Sequence, residues 1–144
     1  MVIVFDIDGT LANNDHRSHW IASNPKNWRA SDLGIPDDST YEDIVWLLNT
    51  FLRVDCTILL CSGRSEDTRT VTEDWLGKHN IKYTKLYMRS SKDYRKDSIV
   101  KVELLYKIIE EFGKPYLWID DRQQVVDALR DQGIRVLQVA PGDF

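Results

Sequence analysis

The chain has 144 residues, of which 42% are hydrophobic and 29% charged, and a formal net charge of −4. That length fits one domain with a proper core, and the acidic balance argues against broad electrostatic binding to nucleic acid while leaving room for a local basic patch. No apolar run approaches a membrane span, and the first residues lack the basic region and cleavage site of a signal peptide, so a cytoplasmic protein without membrane attachment is expected.

Val2 to Phe5 is a short apolar, mostly β-branched run that reads as a strand buried on both faces. Asp6 and Asp8 follow at its end, and Gly9-Thr10 breaks it. An ionised carboxylate is expensive to desolvate, so two of them at the mouth of a buried strand call for compensation. A divalent cation supplies it, and Mg²⁺ suits a site of carboxylates, carbonyls and water. The bland alternative is that both acids face solvent in a loop.

Residues 11–40 are polar and irregular, punctuated by Asn24-Pro25, Trp20 and Trp28, and read as a loop with one or two short helices. Within them, 13–38 is expected to form a small insert or lid beside the strand end. Asp38-Ser39-Thr40 offers N-caps for a helix over 41–52, where Ile44, Val45, Leu47, Leu48 and Phe51 recur at helical spacing. A second buried strand spans 56–61 and ends in Ser62-Gly63-Arg64. Cys56 and Cys61 lack metal or redox spacing and read as reduced core residues.

A helix over 66–79 turns Val71, Trp75 and Leu76 inward, and a third strand spans 83–88. The loop 89–96 sets Arg89, Lys92, Arg95 and Lys96 against Asp93, either as a solvated charged loop or as a track for one nucleic-acid strand. An amphipathic helix over 97–112 is closed by Gly113-Lys114-Pro115. A fourth strand over 116–119 runs into Asp120-Asp121. A helix over 123–132, capped by Gly133, and a strand over 134–139 complete the chain. His16, His19 and His79 show no metal-ligand pattern and are expected to face solvent or to form hydrogen bonds.

Strands alternating with helices predict an α/β fold with a doubly wound, five-stranded parallel sheet and right-handed crossovers. The carboxyl ends of such strands share one edge, and ligands bind where the winding reverses. Asp6/Asp8, Ser62/Arg64 and Asp120/Asp121 are therefore expected to converge on one site. Asp97 and Lys101 stand four residues apart on one helix face, as a surface ion pair or as a lysine held at a site by its acid.

Asp6-Ile7-Asp8-Gly9-Thr10 matches the Asp-x-Asp-Gly-Thr signature and resembles the haloacid dehalogenase-like phosphohydrolases. The resemblance implies a strand order of 3-2-1-4-5, no large cap domain, and Mg²⁺ as cofactor. It implies that Asp6 attacks phosphorus to form an aspartyl-phosphate. Asp8 then serves as acid and base, and its carbonyl joins Asp6 on the metal. Ser62, with Gly63, Gly9 and Thr10, would line the phosphate, and Arg64 would present it a planar fork. Lys101, held by Asp97, would reach nucleophile and phosphate, with Lys96 the competing lysine. Asp120 and Asp121 would complete the metal sphere, Asp120 directly and Asp121 directly, through water, or by orienting a cation.

Three further blocks, 95–103, 119–126 and 138–144, resemble the phosphatase domains of bacteriophage polynucleotide kinase–phosphatases. That resemblance implies removal of 3′-terminal phosphates from polynucleotide ends in nucleic-acid repair, and a catalytic role for Arg17, eleven residues beyond Asp6. The segment between Arg17 and Thr40 is longer than the family pattern. It is where substrate would be selected, with Trp20 and Trp28 stacking on a base or packing as lid core. No Gly-x-x-x-x-Gly-Lys-Ser/Thr loop occurs in these residues, so 5′ phosphorylation is not expected of them. A nucleotidase acting on free nucleoside monophosphates and a non-catalytic module of the same fold are the competing readings.

Overall fold

The computed structural model describes residues 1–144. Along the chain run β1 (Val2–Phe5), β2 (Ala12–Asn13), α1 (His19–Ala22), α2 (Trp28–Leu33), β3 (Ser39–Thr40) and α3 (Glu42–Arg53). They are followed by β4 (Thr57–Ser65), α4 (Arg69–Lys78), β5 (Lys85–Arg89), α5 (Asp97–Phe112), β6 (Leu117–Asp120), α6 (Gln123–Asp131) and β7 (Val136–Gln138). The main sheet is parallel, in the order β5-β4-β1-β6-β7. Counted among its own strands this is the 3-2-1-4-5 winding, with β1 central.

The side-chain period of two divides the core between the faces of that sheet. Ile3, Phe5, Ile58 and Leu60 point to the side covered by α3 and α4, where Leu48, Trp75 and Leu76 meet them. Val4, Leu59, Cys61 and Trp118 point to the other side, under Val100, Leu104 and Leu105 of α5 and Val125, Val126 and Leu129 of α6. Both cysteines are free thiols. No helix is long and apolar enough to cross a membrane.

Four local outcomes differ from the sequence expectation. β4 continues past Cys61 to Ser65, because its pairing with β5 shifts register between Ser62 and Ser65 instead of stopping. The helix expected from 66 opens as a 3₁₀ turn, Glu66–Thr68, since the Ser65 hydroxyl accepts from the Asp67 amide at 3.2 Å. The third strand starts at Lys85, two residues later than expected. Asp38, Ser39 and Thr40 do not cap α3, which starts without a side-chain cap. Ser39 and Thr40 instead pair antiparallel with Asn13 and Ala12, and Asp38 is buried. That small ribbon joins the two ends of the insert at the rim of the main sheet.

Candidate active site

The chain turns tightly after β1. The amides of Thr10, Leu11 and Ala12 all donate to the Ile7 carbonyl, at 3.2, 2.9 and 2.8 Å, and the Asp6 amide donates to Ile119 at 2.9 Å. Gly9 has φ +80°, and a Cβ there would lie 2.1 Å from Oδ2 of Asp121. Only glycine meets both demands, so the acid at the end of β6 can lie directly against the β1 turn. Thr10 donates its hydroxyl to Oδ2 of Asp6 at 3.3 Å.

Asp6, Asp120 and Asp121 each offer a carboxylate oxygen within 4.8 Å of the others, and all three residues are buried. Burial, with the charges of Asp120 and Asp121, pushes Asp6 well above the usual carboxylate range in spite of Lys101. Burial and Asp120 push Asp121 up to about 6. An all-oxygen donor set under such mutual repulsion fits a hard divalent cation such as Mg²⁺. The two neighbours at the end of β6 differ in what they have left to give. Asp120 accepts from Lys101 Nζ at 2.9 Å, Trp118 Nε1 at 3.2 Å, and the amides of Asp121 and Arg122 at 2.9 and 3.2 Å. Those four donors fill the roughly four acceptor sites of a carboxylate.

Lys101 is 1% exposed and donates to Oδ1 of Asp6 at 2.7 Å, while Lys96 is exposed. Burial alone would discharge it, but Asp120, Asp6 and Asp97 keep it a firmly charged ammonium. Asp97 stands 3.9 Å from it and also meets Arg89 at 3.3 Å and Arg122 at 3.5 Å. Gly63 makes room for that acid: a Cβ there would lie 2.1 Å from Oδ1 of Asp97. Ser62 is fully buried, and its hydroxyl accepts from the Arg64 amide at 3.1 Å.

Asp8 points away from this trio into a second cluster. Arg64 closes a fork on it, Nε to Oδ2 at 2.9 Å and Nη2 to Oδ1 at 2.6 Å, and Arg17 Nη2 adds a bond at 3.1 Å. Burial would raise the Asp8 carboxyl, but the Arg64 charge and hydrogen bonds, followed by Arg17, hold it below the usual range. The guanidinium forks that the resemblance directs at a phosphate are thus closed on a carboxylate in this structure. Both arginines also reach Asp38.

The whole chain, residues 1–144, matches the family model of the polynucleotide kinase PNKP phosphatase domain. The chain belongs to this family. Over 131 residues it is 29% identical to a protein of Autographa californica nuclear polyhedrosis virus named as a bifunctional polynucleotide kinase/RNA ligase, covering 90% of this chain and 18% of that one. It superposes on a chain of the Pnkp1/Rnl/Hen1 complex with a TM-score of 0.81 at 35% identity, over 99% of this chain and 47% of the other. It therefore spans less than half the length of these relatives. At the level of fold alone it is similar to a haloacid dehalogenase-like hydrolase from Streptococcus pneumoniae, with a TM-score of 0.68 at 16% identity over 95% of this chain and 83% of the other.

Three residues of this phosphatase domain escaped the sequence reading. Asp38 carried only a capping signal, and nothing in its neighbourhood in sequence announces the two arginines it meets. Thr72, on α4, accepts from Arg64 Nη1 at 3.0 Å and reads in sequence as an ordinary helix residue. Arg89 belongs to the expected basic loop, yet it turns inward, donating to the Gly63 carbonyl at 2.8 Å and the Arg95 carbonyl at 2.6 Å. Arg95 is engaged too, by Asp93 at 2.8 Å and Glu103 at 2.6 Å. The loop's remaining cations, Lys92 and Lys96, are exposed, which leaves a short basic edge in place of a four-cation track. On the insert, Trp20 is 39% and Trp28 58% exposed, so neither is a core residue. His19 packs at a tilt against Trp20, His79 packs at a tilt against Trp75, and His16 bonds Asp38.

Proposed function

We propose that this domain removes 3′-terminal phosphates from polynucleotide ends by way of an aspartyl-phosphate on Asp6. The observation that carries this reading is the contact of buried, charged Lys101 with Asp6 inside the acid trio. Asp6, Asp121 and the carbonyl of Asp8 would hold Mg²⁺, with Asp120 behind them fixing Lys101. The cation would neutralise the carboxylates and the incoming phosphate.

An Asp6 oxygen attacks phosphorus, the bond to the 3′ oxygen breaks, and Asp8 gives its proton to that leaving oxygen. Water then attacks the phosphorus, Asp8 takes a proton from it, and the bond to Asp6 breaks to release phosphate. Lys101 and Ser62 bear on the transferring group, with Gly9, Thr10 and Gly63 shaping the turns around it. As the phosphate enters, Arg17 and Arg64 turn donors from Asp8 to it. Losing those cations, and gaining an anion beside it, raises the proton affinity of Asp8 as an acid requires. The exposed tryptophans and the absence of a large cap leave an open mouth suited to a polymer end. The test is phosphate release per 3′ end from an oligonucleotide and from a nucleoside 3′-monophosphate, each with Mg²⁺ and with excess EDTA. The oligomer is expected to react at least as fast, and EDTA to stop both. A strong preference for the monomer would favour a nucleotidase instead.

A further inference from the structure

Asp38 ends the insert, next to the small ribbon, while His16 and Arg17 lie in the 3₁₀ turn that begins it, Asp15–Arg17. The Asp38 carboxylate has no exposure and is held by three side chains. Arg17 forks onto it, Nε to Oδ1 at 2.8 Å and Nη2 to Oδ2 at 2.9 Å. Arg64 Nη2 reaches Oδ2 at 3.3 Å, and His16 Nε2 lies 2.7 Å from Oδ1. A carboxylate only accepts, so Nε2 is the protonated nitrogen of His16. The Asp38 main chain is fixed as well, its carbonyl accepting from Trp75 Nε1 in α4 at 2.9 Å.

The cluster pairs two acids, Asp8 and Asp38, with two guanidinium groups, and His16 adds a further donor. The acids differ in surroundings: the Asp8 side chain is 31% exposed toward the site, whereas Asp38 is sealed. When the arginines release Asp8 during the reaction, Asp38 is the acceptor that remains. We infer that Asp38 and His16 form a positioning pair, which holds Arg17 and Arg64 in place while Asp8 exchanges its proton with the leaving group and water. The inference rests on the reading of Asp8 as acid and base. His16 acts only through Asp38, by filling the acceptor site that the arginines leave open. The same pair links the two ends of the insert, so seating the insert and aligning the acid become one event.

The pair is tested by kcat on two substrates, a 3′-phosphorylated oligonucleotide, whose alkoxide leaving group needs a proton, and an aryl phosphate, whose phenoxide needs it much less. General acid help is worth about 10²–10⁴-fold. His16→Ala and Asp38→Asn are expected to lower kcat on the oligonucleotide by about tenfold and about a hundredfold, a fraction of that range. Loss on the aryl phosphate should be clearly smaller, because that substrate shares the arginines' grip on its phosphate but needs the proton much less. His16→Gln, which keeps a donor, should recover most of the activity. In the double variant, His16→Ala should add nothing to Asp38→Asn, because the histidine acts through that carboxylate. His16 is partly exposed, so its variants remain informative if Asp38→Asn folds poorly. Equal losses on both substrates, or no recovery with glutamine, would overturn the pair as a positioning device. Asp8→Asn separates the two readings. If it lowers kcat equally on both substrates, the acid assignment itself fails and the inference with it. If it lowers kcat far more on the oligonucleotide while His16→Ala and Asp38→Asn do not, only the inference fails.

Discussion

Nζ of Lys101 lies 2.7 Å from Oδ1 of Asp6 across 95 residues of chain. One group sits at the end of the central strand and the other on the second turn of α5, which packs over β4 and β5. The sheet winding alone makes them neighbours. Lys101→Ala would leave Asp6 and Asp120 without their shared cation and remove a charge from the transferring phosphate. It is expected to lower kcat by at least about a hundredfold, the scale of removing one preorganised electrostatic partner. Lys96→Ala should change kcat less than about threefold, within the range of an ordinary surface substitution. Steady-state kinetics on both variants decide the ranking, and the reverse order would move the role to Lys96.

The acid trio predicts a pH-dependent response to Mg²⁺. Asp6 and Asp121 have folded-state proton affinities above those of the unfolded chain, Asp121 titrating at about 6. Such groups favour the folded state fully below the unfolded carboxylate value of about 4, and that contribution fades as pH rises through the folded value. In the metal-free protein Asp6 and Asp121 therefore cost stability between about pH 4 and 6 and above. Asp8, held low, runs the other way and loses its contribution only as pH falls below about 4. Mg²⁺ should raise Tm clearly at pH 7.5 and little at pH 5, with Asp6→Asn shrinking the difference. Thermal melts with and without Mg²⁺ measure this, and an equal rise at both pH values would count against metal binding by Asp6 and Asp121.

The two tryptophans of the insert should matter for substrate and not for folding. With Trp20 and Trp28 both exposed, the double alanine variant is expected to melt within a few degrees of the parent. Base stacking is worth about 1–3 kcal/mol per base, so KM for an oligonucleotide should rise about tenfold or more, while an aryl phosphate is spared. A large drop in Tm with equal loss on both substrates would assign these side chains to packing instead.

The legible part of this protein is what local periodicity and strand ends reveal. Val2–Phe5 had no helical alternative, α5 runs from Asp97 to Phe112 as its amphipathic pattern required, and three polar strand ends had to meet once the sheet was parallel. The hidden part lies in contacts that cross the insert. Asp38 looks like an N-cap because capping and ion pairing draw on the same residue types. Only the pairing of Ser39–Thr40 with Ala12–Asn13 turns it toward Arg17 and Arg64. What distinguishes Asp120 from Asp121 is equally invisible in sequence, because it is the convergence on Asp120 of four donors supplied by Lys101, Trp118 and two backbone amides. The basic loop is legible only as a count of charges, which cannot show that Arg89 turns inward to the Gly63 carbonyl while Arg95 pairs with Glu103 at the surface.

Release of phosphate from matched 3′- and 5′-phosphorylated oligonucleotides, by the parent and by Asp6→Asn in Mg²⁺, tests the central claim most directly. Rapid release from the 3′ end is expected, with much slower release from the 5′ end and none from either by a folded Asp6→Asn, whose amide cannot form the acyl-phosphate. Preference for the 5′ end, or near-parental turnover by Asp6→Asn, would contradict that claim.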